Sequence, residues 1–384
     1  MMAEAQAPVA AQGLRGVVIG DSKLSLVDGE NGRLIYAGYK IQDLAENALF
    51  EEVVFLLWNN RLPNAQELET LREQIAEGAV LPQVVIDKMK AYPKDINPMA
   101  MLRTVVSMLA FYDPESEDMS IEAVKRKALR MTGQITTICA AWDRIRKGHE
   151  VVQPRRDYNL AQNFMYMLTG EEPNKTAVDA INTYLVLLAE HGMNASTFTA
   201  RVVTATGSDI YSAIVAAIGA LKGPSHGGAN AEAMQMFLDI GEVDNVESWF
   251  NTEFKGKGRK IMGIGHAIYK ALDPRAIILK EKARELAQSS GNLKWFQVAE
   301  KLDDTARADQ HFIERRLYAN VDYYSAIVLY TINLDIDMFT PLFAMARIAG
   351  WSAHVIEQMG GKLIRPDVNY VGAMDLPWTP VDQR

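Results

Sequence analysis

The 384-residue sequence contains a single cysteine, Cys139, and only six histidines. One cysteine excludes a disulfide within the chain and a zinc site built from several thiolates. Such sparing use of cysteine is typical of proteins in a reducing compartment, so the sequence predicts a cytoplasmic protein. The histidines are few enough to be weighed one by one.

Long apolar runs and an excess of basic residues are also absent. The longest nearly apolar run, Ile210 to Leu221, is far shorter than the roughly 20 residues that span a bilayer. Met1 to Gly13 has neither the basic flank nor the apolar stretch of a signal peptide. The formal net charge of −8 offers no general attraction to nucleic acid or to an anionic membrane. The sequence therefore predicts no membrane segment and no nucleic-acid partner.

What the chain does contain is enough apolar sequence for a core, 48% of its residues, arranged mostly in helical patterns. β-formers between turn residues predict a small ribbon near residues 14–37, beginning at Gly16 to Ile19. Apolar spacing predicts helices over 178–188, 210–221, 277–301 and 340–360, and Asn64 with Glu67 has the pattern of a capping box. Strands do not alternate with helices, so the predicted fold class is mainly α.

A chain of this length suits two domains of unequal size. Loops at 223–228 and near 320 are candidate hinges, and they enclose a segment of about a hundred residues. The smaller domain is then expected as an insertion in the larger one.

Two glycine-rich loops each contain one histidine. His226 lies in the first, Lys222 to Asn230, and His266 lies in the second, Met262 to Lys270. Glycine lets a backbone turn sharply and approach a ligand, so both histidines are candidate site residues. Neither loop has a second metal ligand at the usual spacing, and neither matches a dinucleotide or Walker loop. These patterns argue against a metal and against nucleotide binding by those routes.

Basic residues crowd the second loop, and two interpretations of them are open. They form either a solvated face or the contact for a phosphate-bearing ligand whose working end reaches His266. The residues concerned are Lys255, Lys257, Arg259, Lys260 and Lys270.

Four more charged residues have two interpretations each. Arg275, Arg347 and Arg365 stand in or beside apolar sequence, where a guanidinium needs either a structural salt bridge or an anionic ligand such as a small dicarboxylate. Asp322 precedes an apolar helix, where it is either a helix cap or a functional carboxylate.

Together these motifs resemble the citrate synthase family. The strongest matches are Gly223 to Asn230, Met262 to His266 with Asp273-Pro274-Arg275, and Asn320-Val321-Asp322; the likeness runs from Gly29 to Pro366. Three such motifs in this order and spacing are hard to obtain by chance. The resemblance implies a helical homodimer of the bacterial and archaeal type. In it a small domain, residues 223–324, closes over a large one, residues 1–222 and 325–384.

The resemblance also implies a reaction. Acetyl-CoA and oxaloacetate would condense to citryl-CoA, which hydrolyses to citrate and CoA in the tricarboxylic acid cycle, without a cofactor or a metal. Asp322 would take a proton from the acetyl methyl group, His226 would stabilise the enolate, and His266 would polarise the ketone and protonate the new alkoxide. Ser196 would orient His226.

Substrate contacts follow from the same resemblance. The oxaloacetate carboxylates would be held by His191, Arg275 and Arg347, with Arg365 entering from the other subunit. CoA would contact Lys260, Met262, Gly263, Gly265, Lys270 and Asn320.

The sequence departs from the family pattern at three positions and leaves alternatives open. Gly192, Ala319 and Asp367 replace a usual Glu, a common Pro and a frequent basic residue.

A 2-methylcitrate synthase using propionyl-CoA is the close alternative, because one methylene in an apolar pocket is worth only about 1–3 kcal/mol. A non-catalytic CoA- or metabolite-binding relative should lack a catalytic residue, and an ATP-dependent citrate-cleaving enzyme needs a region for which the chain has no room.

Overall fold

The computed structural model describes residues 12–14 and 16–384 of the chain, and helices dominate that part. This confirms the predicted mainly α class. The α-helices in chain order are α1 Ile41–Asn47, α2 Phe50–Asn59, α3 Ala65–Gly78, α4 Gln83–Ala91, α5 Pro98–Leu109, α6 Ile121–Arg146, α7 Leu160–Thr169, α8 Lys175–Leu188, α9 Ala195–Thr204, α10 Ile210–Leu221, α11 Ala229–Ile240, α12 Val246–Trp249, α13 Pro274–Ser289, α14 Lys294–Arg307, α15 Gln310–Arg315, α16 Val321–Thr331 and α17 Phe339–Gln358.

A three-stranded antiparallel sheet precedes the helices. β1 (Ser25–Asp28) pairs with β2 (Arg33–Tyr36), which pairs with β3 (Tyr39–Lys40). Tyr36 is buried and hydrogen-bonded to the end of α8, which attaches the sheet to the helical body. The predicted ribbon is therefore confirmed from residue 25 onward. Its predicted start, Gly16 to Ile19, is wrong, because this segment is exposed and no neighbouring strand pairs with it.

Helix α17 is the centre of the larger helical group. It is buried along almost its whole length and packs against α2, α6, α8, α9 and α10. A helix that is apolar on all sides needs such neighbours. Helix α10 has the predicted bounds and packs between α5, α9 and α17. The predicted capping box is also present at the start of α3, where Asn64 and Glu67 cap each other.

A second group of helices has α16 at its centre. Helices α11, α13 and α14 pack against it. The helical periodicity predicted over 277–301 corresponds to two helices, α13 and α14, which a turn at Gly291, with a positive φ of 70°, separates. The domain limits at 222/223 and 324/325 stay a prediction. The second limit falls inside α16.

The structure bears on two observations from the sequence, the shortness of its apolar runs and its single cysteine. None of the helices in residues 12–14 and 16–384 is long and apolar enough to cross a membrane. Cys139 is buried in α6 as a free thiol, and burial raises its pKa. It is therefore a poor nucleophile.

Candidate active site

His226 lies in the turn after α10 and is held by side chains from other helices. Its Nε2 lies 2.8 Å from Oγ of Ser196, at the start of α9. That hydroxyl accepts a hydrogen bond from Nε1 of Trp351 at 3.1 Å and lies 2.8 Å from Oδ1 of Asn194. The backbone N–H of Ser196 donates to the same Nε2 at 3.3 Å, so Nε2 is an acceptor and the proton of the neutral ring is on Nδ1. Burial, together with the charge of Arg347, lowers the pKa of His226 to about 4. The imidazole is therefore neutral at pH 7.

His266 is held by the backbone of its own loop. Its Nδ1 accepts hydrogen bonds from the backbone N–H groups of Ile268 and Tyr269, at 3.0 and 3.2 Å. Because both groups donate, Nδ1 must carry the lone pair, and the neutral ring has its proton on Nε2. Burial and the charge of Arg275 lower the pKa of His266 to about 4, which keeps the ring neutral.

The second loop is hydrogen-bonded to the segment that begins α16. The backbone N–H of Asn320 donates to the carbonyl of Gly263, and its side-chain amide donates to the carbonyl of Gly265, both at 2.8 Å. Gly263 has a φ of 79°, and a Cβ there would lie 2.9 Å from Cα of Tyr323. Only glycine fits this contact without displacement. The loop carrying His266 is thus fixed against the first turn of α16.

Asp322 lies in that first turn. The cap of α16 is Asn320, whose Oδ1 accepts the backbone N–H of Asp322 at 2.9 Å, so the interpretation of Asp322 as the helix cap is wrong. Burial raises the pKa of Asp322 to about 6, although the charges of Arg275 and Arg347 oppose the rise. The carboxyl is mostly ionised at pH 7 and more basic than an ordinary aspartate. Such a group suits general base catalysis.

The two buried arginines of the site differ in their partners. Arg275 forms a two-point salt bridge with Asp273 through Nε and Nη2, at 3.0 and 2.8 Å. This pair does not use Nη1, which can still donate to a carboxylate ligand, so both interpretations of Arg275 stay open. Arg347 donates from Nε to the carbonyl of Leu188 at 2.6 Å and lies over the ring of Phe343. None of the ion pairs between described residues includes Arg347. Its remaining N–H groups are a natural contact for a carboxylate ligand.

His191 lies between these groups. It is buried, its ring centroid is 5.4 Å from that of His266, and its Nε2 is 3.2 Å from the hydroxyl of Tyr269. Burial and the charge of Arg275 lower its pKa well below the usual histidine value. Tyr269 is a residue that sequence reasoning missed. Its place three residues after His266 is a possible signal, but only the fold brings its hydroxyl to His191.

The two guanidinium charges connect the predicted residues electrostatically. Arg347 lowers the pKa of His226, Arg275 lowers that of His266, and both act on Asp322. A charge acts on the pKa of another buried group only when the two lie close together. The structure therefore brings the predicted catalytic residues and two predicted arginines into one interior, where guanidinium groups can face an anion beside neutral hydrogen-bond donors.

A cavity of about 360 Å³ opens beside the second loop. Five of the six residues predicted to contact CoA line it; they are Lys260, Met262, Gly263, Gly265 and Asn320. Lys270 does not line it, and its backbone N–H donates to the carbonyl of Gly29. Sequence reasoning missed one wall of the cavity, an aromatic cluster of Phe254, His311 and Phe312. Phe254 reaches it from a π-helical turn, Phe250–Gly256.

Most of the basic residues near the second loop are paired with carboxylates. Lys255 pairs with Asp309, Lys257 with Glu253, and Arg259 with Asp239, at 2.6 to 2.7 Å; the two that belong to no ion pair between described residues are Lys260 and Lys270. The solvated-face interpretation therefore holds for the first three. Only Lys260 and Lys270 keep a free charge for a phosphate.

Arg365 lies outside the buried site of its own chain. It is exposed in the segment that follows α17. Large apolar side chains in the same segment are exposed too; examples are Val368, Tyr370, Val371 and Trp378. Across residues 12–14 and 16–384, no group of three or more His, Cys, Asp or Glu side chains is arranged to hold a metal ion.

The family model for the citrate synthase C-terminal domain matches residues 13–367. The chain belongs to the citrate synthase family. It is 47% identical to citrate synthase 2 of Bacillus subtilis, over 98% of this chain and 99% of the relative. It is also 36% identical to 2-methylcitrate synthase 1 of Corynebacterium glutamicum, over 97% and 98%.

Solved structures of citrate synthases have the same fold. The enzyme from Pyrobaculum aerophilum superposes with a TM-score of 0.90 at 37% identity, covering 97% of this chain and 95% of that one. The ternary complex of citrate synthase from Thermoplasma acidophilum with carboxymethyl coenzyme A and oxaloacetate is also similar, with a TM-score of 0.89 at 33% identity, covering 96% of this chain and 98% of that one.

Proposed function

We propose that this member of the citrate synthase family condenses acetyl-CoA with oxaloacetate and hydrolyses citryl-CoA to citrate and CoA. The observation that carries the proposal is the pairing of a raised carboxyl pKa at Asp322 with a neutral His266 whose proton is on Nε2. One group can remove a proton and the other can donate one, and the bonded loop segments fix both in place.

In the first step Asp322 removes a proton from the acetyl methyl group. The α-proton of a thioester is weakly acidic, so the negative charge that develops on the thioester oxygen needs a fixed donor. Neutral His226, oriented by Ser196, supplies that N–H. Its low pKa helps, because a neutral donor leaves Asp322 the basicity that a nearby imidazolium would take away.

In the second step the enolate attacks the ketone of oxaloacetate. The Nε2–H of His266 donates to the ketone oxygen and then transfers its proton to the new alkoxide. Arg275, Arg347 and His191 hold the two carboxylates of the substrate. CoA binds in the cavity beside the second loop, where Lys260 provides positive charge for phosphates. Lys270 lies outside the lining of that cavity and adds positive charge from the same loop.

Hydrolysis of citryl-CoA needs controlled access of water. We propose that the small domain, residues 223–324, closes over the substrates and excludes bulk water until the carbon–carbon bond has formed. The proposed reaction needs no cofactor and no metal, since acid–base groups perform every step. Sparing use of cysteine supports a cytoplasmic location.

We also propose that the enzyme is a homodimer in which Arg365 serves the site of the partner subunit. The exposed apolar side chains around Arg365 support this, because a monomer rarely leaves so many uncovered in one segment. Co-expression of the Asp322→Asn and Arg365→Ala chains tests it. Half of randomly formed dimers would be mixed and would contain one intact site of two, giving about a quarter of wild-type activity. Activity no higher than that of either parent would contradict the proposal.

The alternative substrate is propionyl-CoA, favoured by the similarity to a 2-methylcitrate synthase. Release of free CoA with oxaloacetate and each acyl-CoA measures the two kcat/KM values. We expect acetyl-CoA to be preferred. A ratio in favour of propionyl-CoA would assign 2-methylcitrate synthesis, and no turnover of either would overturn the proposed function.

A further inference from the structure

Glu190 is a buried carboxylate beside the proposed oxaloacetate site, and the steps above do not use it. Its side chain is fully buried next to His191. One oxygen, Oε1, accepts hydrogen bonds from the backbone N–H of Gly192 at 2.6 Å, from Oγ of Ser25 at 2.9 Å and from Nε2 of His354 at 2.9 Å. The carboxylate of Glu190, just before His191, therefore binds the backbone of Gly192, just after it, and fixes the turn that carries His191.

A second layer of charged groups holds His354 in its orientation. Nη1 of Arg201 lies 3.0 Å from Nδ1 of His354 and 2.6 Å from Oε2 of Glu357. Arginine can only donate hydrogen bonds, so Nδ1 of His354 is the acceptor. The proton of the imidazole ring is therefore on Nε2, which donates to Glu190. The order of groups from the surface inward is Glu357, Arg201, His354 and Glu190. Each donor in this row faces an acceptor.

The segment next to Glu190 also supports Arg347. The carbonyl of Leu188 accepts a hydrogen bond from Nε of Arg347, and the carbonyl of Ala189 accepts one from the backbone N–H of Gly350. A Cβ on residue 350 would lie 2.3 Å from Oε2 of Glu190, so only glycine lets α17 approach this closely. One short segment thus positions two proposed oxaloacetate ligands, His191 and Arg347.

The charges of Glu190 and Arg347 also link the segment 188–191 to the proposed oxaloacetate site. Burial acts to raise the pKa of Glu190, but the electrostatic interaction and the hydrogen bond with His354, followed by the charge of Arg347, outweigh it, so the pKa is lowered. Arg347 in turn belongs to no ion pair between described residues, and Glu190 is the largest of the charges that stabilise its cation. An isolated buried cation is costly, so a nearby anion matters.

From these contacts we propose that Glu190, oriented by His354 and Arg201, is a positioning residue that sets the affinity for oxaloacetate. It holds the turn of His191 and balances the charge of Arg347 without touching the substrate. The inference rests on the proposed function, which assigns oxaloacetate to this site.

The test compares two buried glutamates. Glu190→Gln keeps the shape of the side chain and removes its charge. Glu51→Gln is the matched control, since Glu51 is also buried and accepts the backbone N–H of Leu160 in another part of the fold. Oxaloacetate binding by calorimetry and the KM values for both substrates are measured. We expect Glu190→Gln to weaken oxaloacetate binding about tenfold or more, the usual scale for a lost charge-assisted hydrogen bond, with KM for acetyl-CoA changed less than about twofold. Glu51→Gln should change neither.

Two further variants separate charge from geometry and protect against a folding failure. Glu190→Asp keeps the charge but is too short to make every contact, so it should bind oxaloacetate with an intermediate affinity. His354→Asn removes the imidazole Nε2–H, one of the three donors to Glu190. We expect a several-fold loss of oxaloacetate affinity and no change for acetyl-CoA. Wild-type oxaloacetate affinity in Glu190→Gln and His354→Asn, or equal changes in both KM values, would overturn the inference. A wild-type enzyme that binds oxaloacetate but does not turn over would instead overturn the proposed function.

Discussion

His226 and His266 lie in similar glycine-rich loops, yet different groups hold their rings. His226 depends on a distant element, the start of α9, where the hydroxyl and the backbone N–H of Ser196 meet its Nε2. Trp351 on α17 in turn donates to that hydroxyl. His266 depends on two backbone N–H groups of its own loop. The local sequence of the second loop therefore carries its own support, whereas the first loop needs the assembled helical body. Similar composition does not imply a similar means of positioning.

The loops also differ in their relation to the proposed base. Asn320 bonds the second loop to the first turn of α16, which carries Asp322. The first loop packs instead against the start of α17, where Oγ1 of Thr340 donates to the carbonyl of Gly227. Disturbing the second loop should thus affect two catalytic residues, and disturbing the support of the first should affect one.

The largest effect is expected from Asp322→Asn, which removes the base attached to the second loop. We expect kcat to fall about 10²- to 10⁴-fold, the usual contribution of a general acid–base group. The fold should persist, because the cap of α16 is Asn320. The measurements are release of free CoA and the melting temperature. A kcat within about threefold of wild type would contradict the assigned role.

Next in size is Gly263→Ala, which disturbs the contact between the second loop and α16. Its Cβ would lie 2.9 Å from Cα of Tyr323, so we expect kcat to fall about tenfold or more as the loop shifts. Gly258→Ala is the matched control, since Gly258 also has a positive φ, 70°, but a Cβ there meets nothing within 4 Å. It should cost about 1 kcal/mol of backbone strain and leave kcat unchanged. Equal kcat in the two variants would show that contact with α16 does not matter.

A smaller loss is expected from Ser196→Ala, which removes support from the first loop only. Without the hydroxyl the ring of His226 loses its orientation, and kcat should fall about tenfold, in line with loss of a supporting hydrogen bond. KM for oxaloacetate should stay near the wild-type value, because His191, Arg275 and Arg347 are untouched. A rise in KM for oxaloacetate without a fall in kcat would contradict the separation of the two loops.

The smallest effect is expected from a change of pH, which separates the titration of Asp322 from that of the two histidines. Asp322 must be ionised to act, and its pKa is about 6. We expect kcat/KM to fall by about twofold between pH 7 and 6 and by about tenfold in total between pH 7 and 5. Both histidines have a pKa of about 4, so they stay neutral over this range. A steeper loss between pH 7 and 5 would mean that a histidine titrates as well.

Prediction from sequence succeeded where one local pattern decides the structure. Helix α10 has the predicted bounds, and Asn64 with Glu67 forms the predicted box, because these features depend on residues within a few positions. It failed where tertiary packing decides. Val17 to Ile19 have β-forming side chains but no partner strand in the part of the chain that the structure describes. The apolar spacing over 277–301 continues through a turn at Gly291. The spacing alone does not show where a backbone must reverse.

The candidate site shows the same division. The motifs were sufficient to nominate both histidines, Asp322 and the arginines, because glycine, histidine and charged residues occur there in unusual local order. Glu190 and His354 could not be recognised, since they are 164 residues apart and each is unremarkable in its own sequence. Tyr269 and the aromatic wall of the cavity were missed for the same reason.

By itself, the sequence determined the helical class, the glycine loops and the chemical groups available for catalysis. Tertiary structure decided the protonation states that make those groups useful. Burial and the charges of Arg275 and Arg347 leave both histidines neutral and Asp322 more basic than usual. The physical reason is that a pKa depends on solvent exposure and on charges brought close in space, and neither can be inferred from residue order alone.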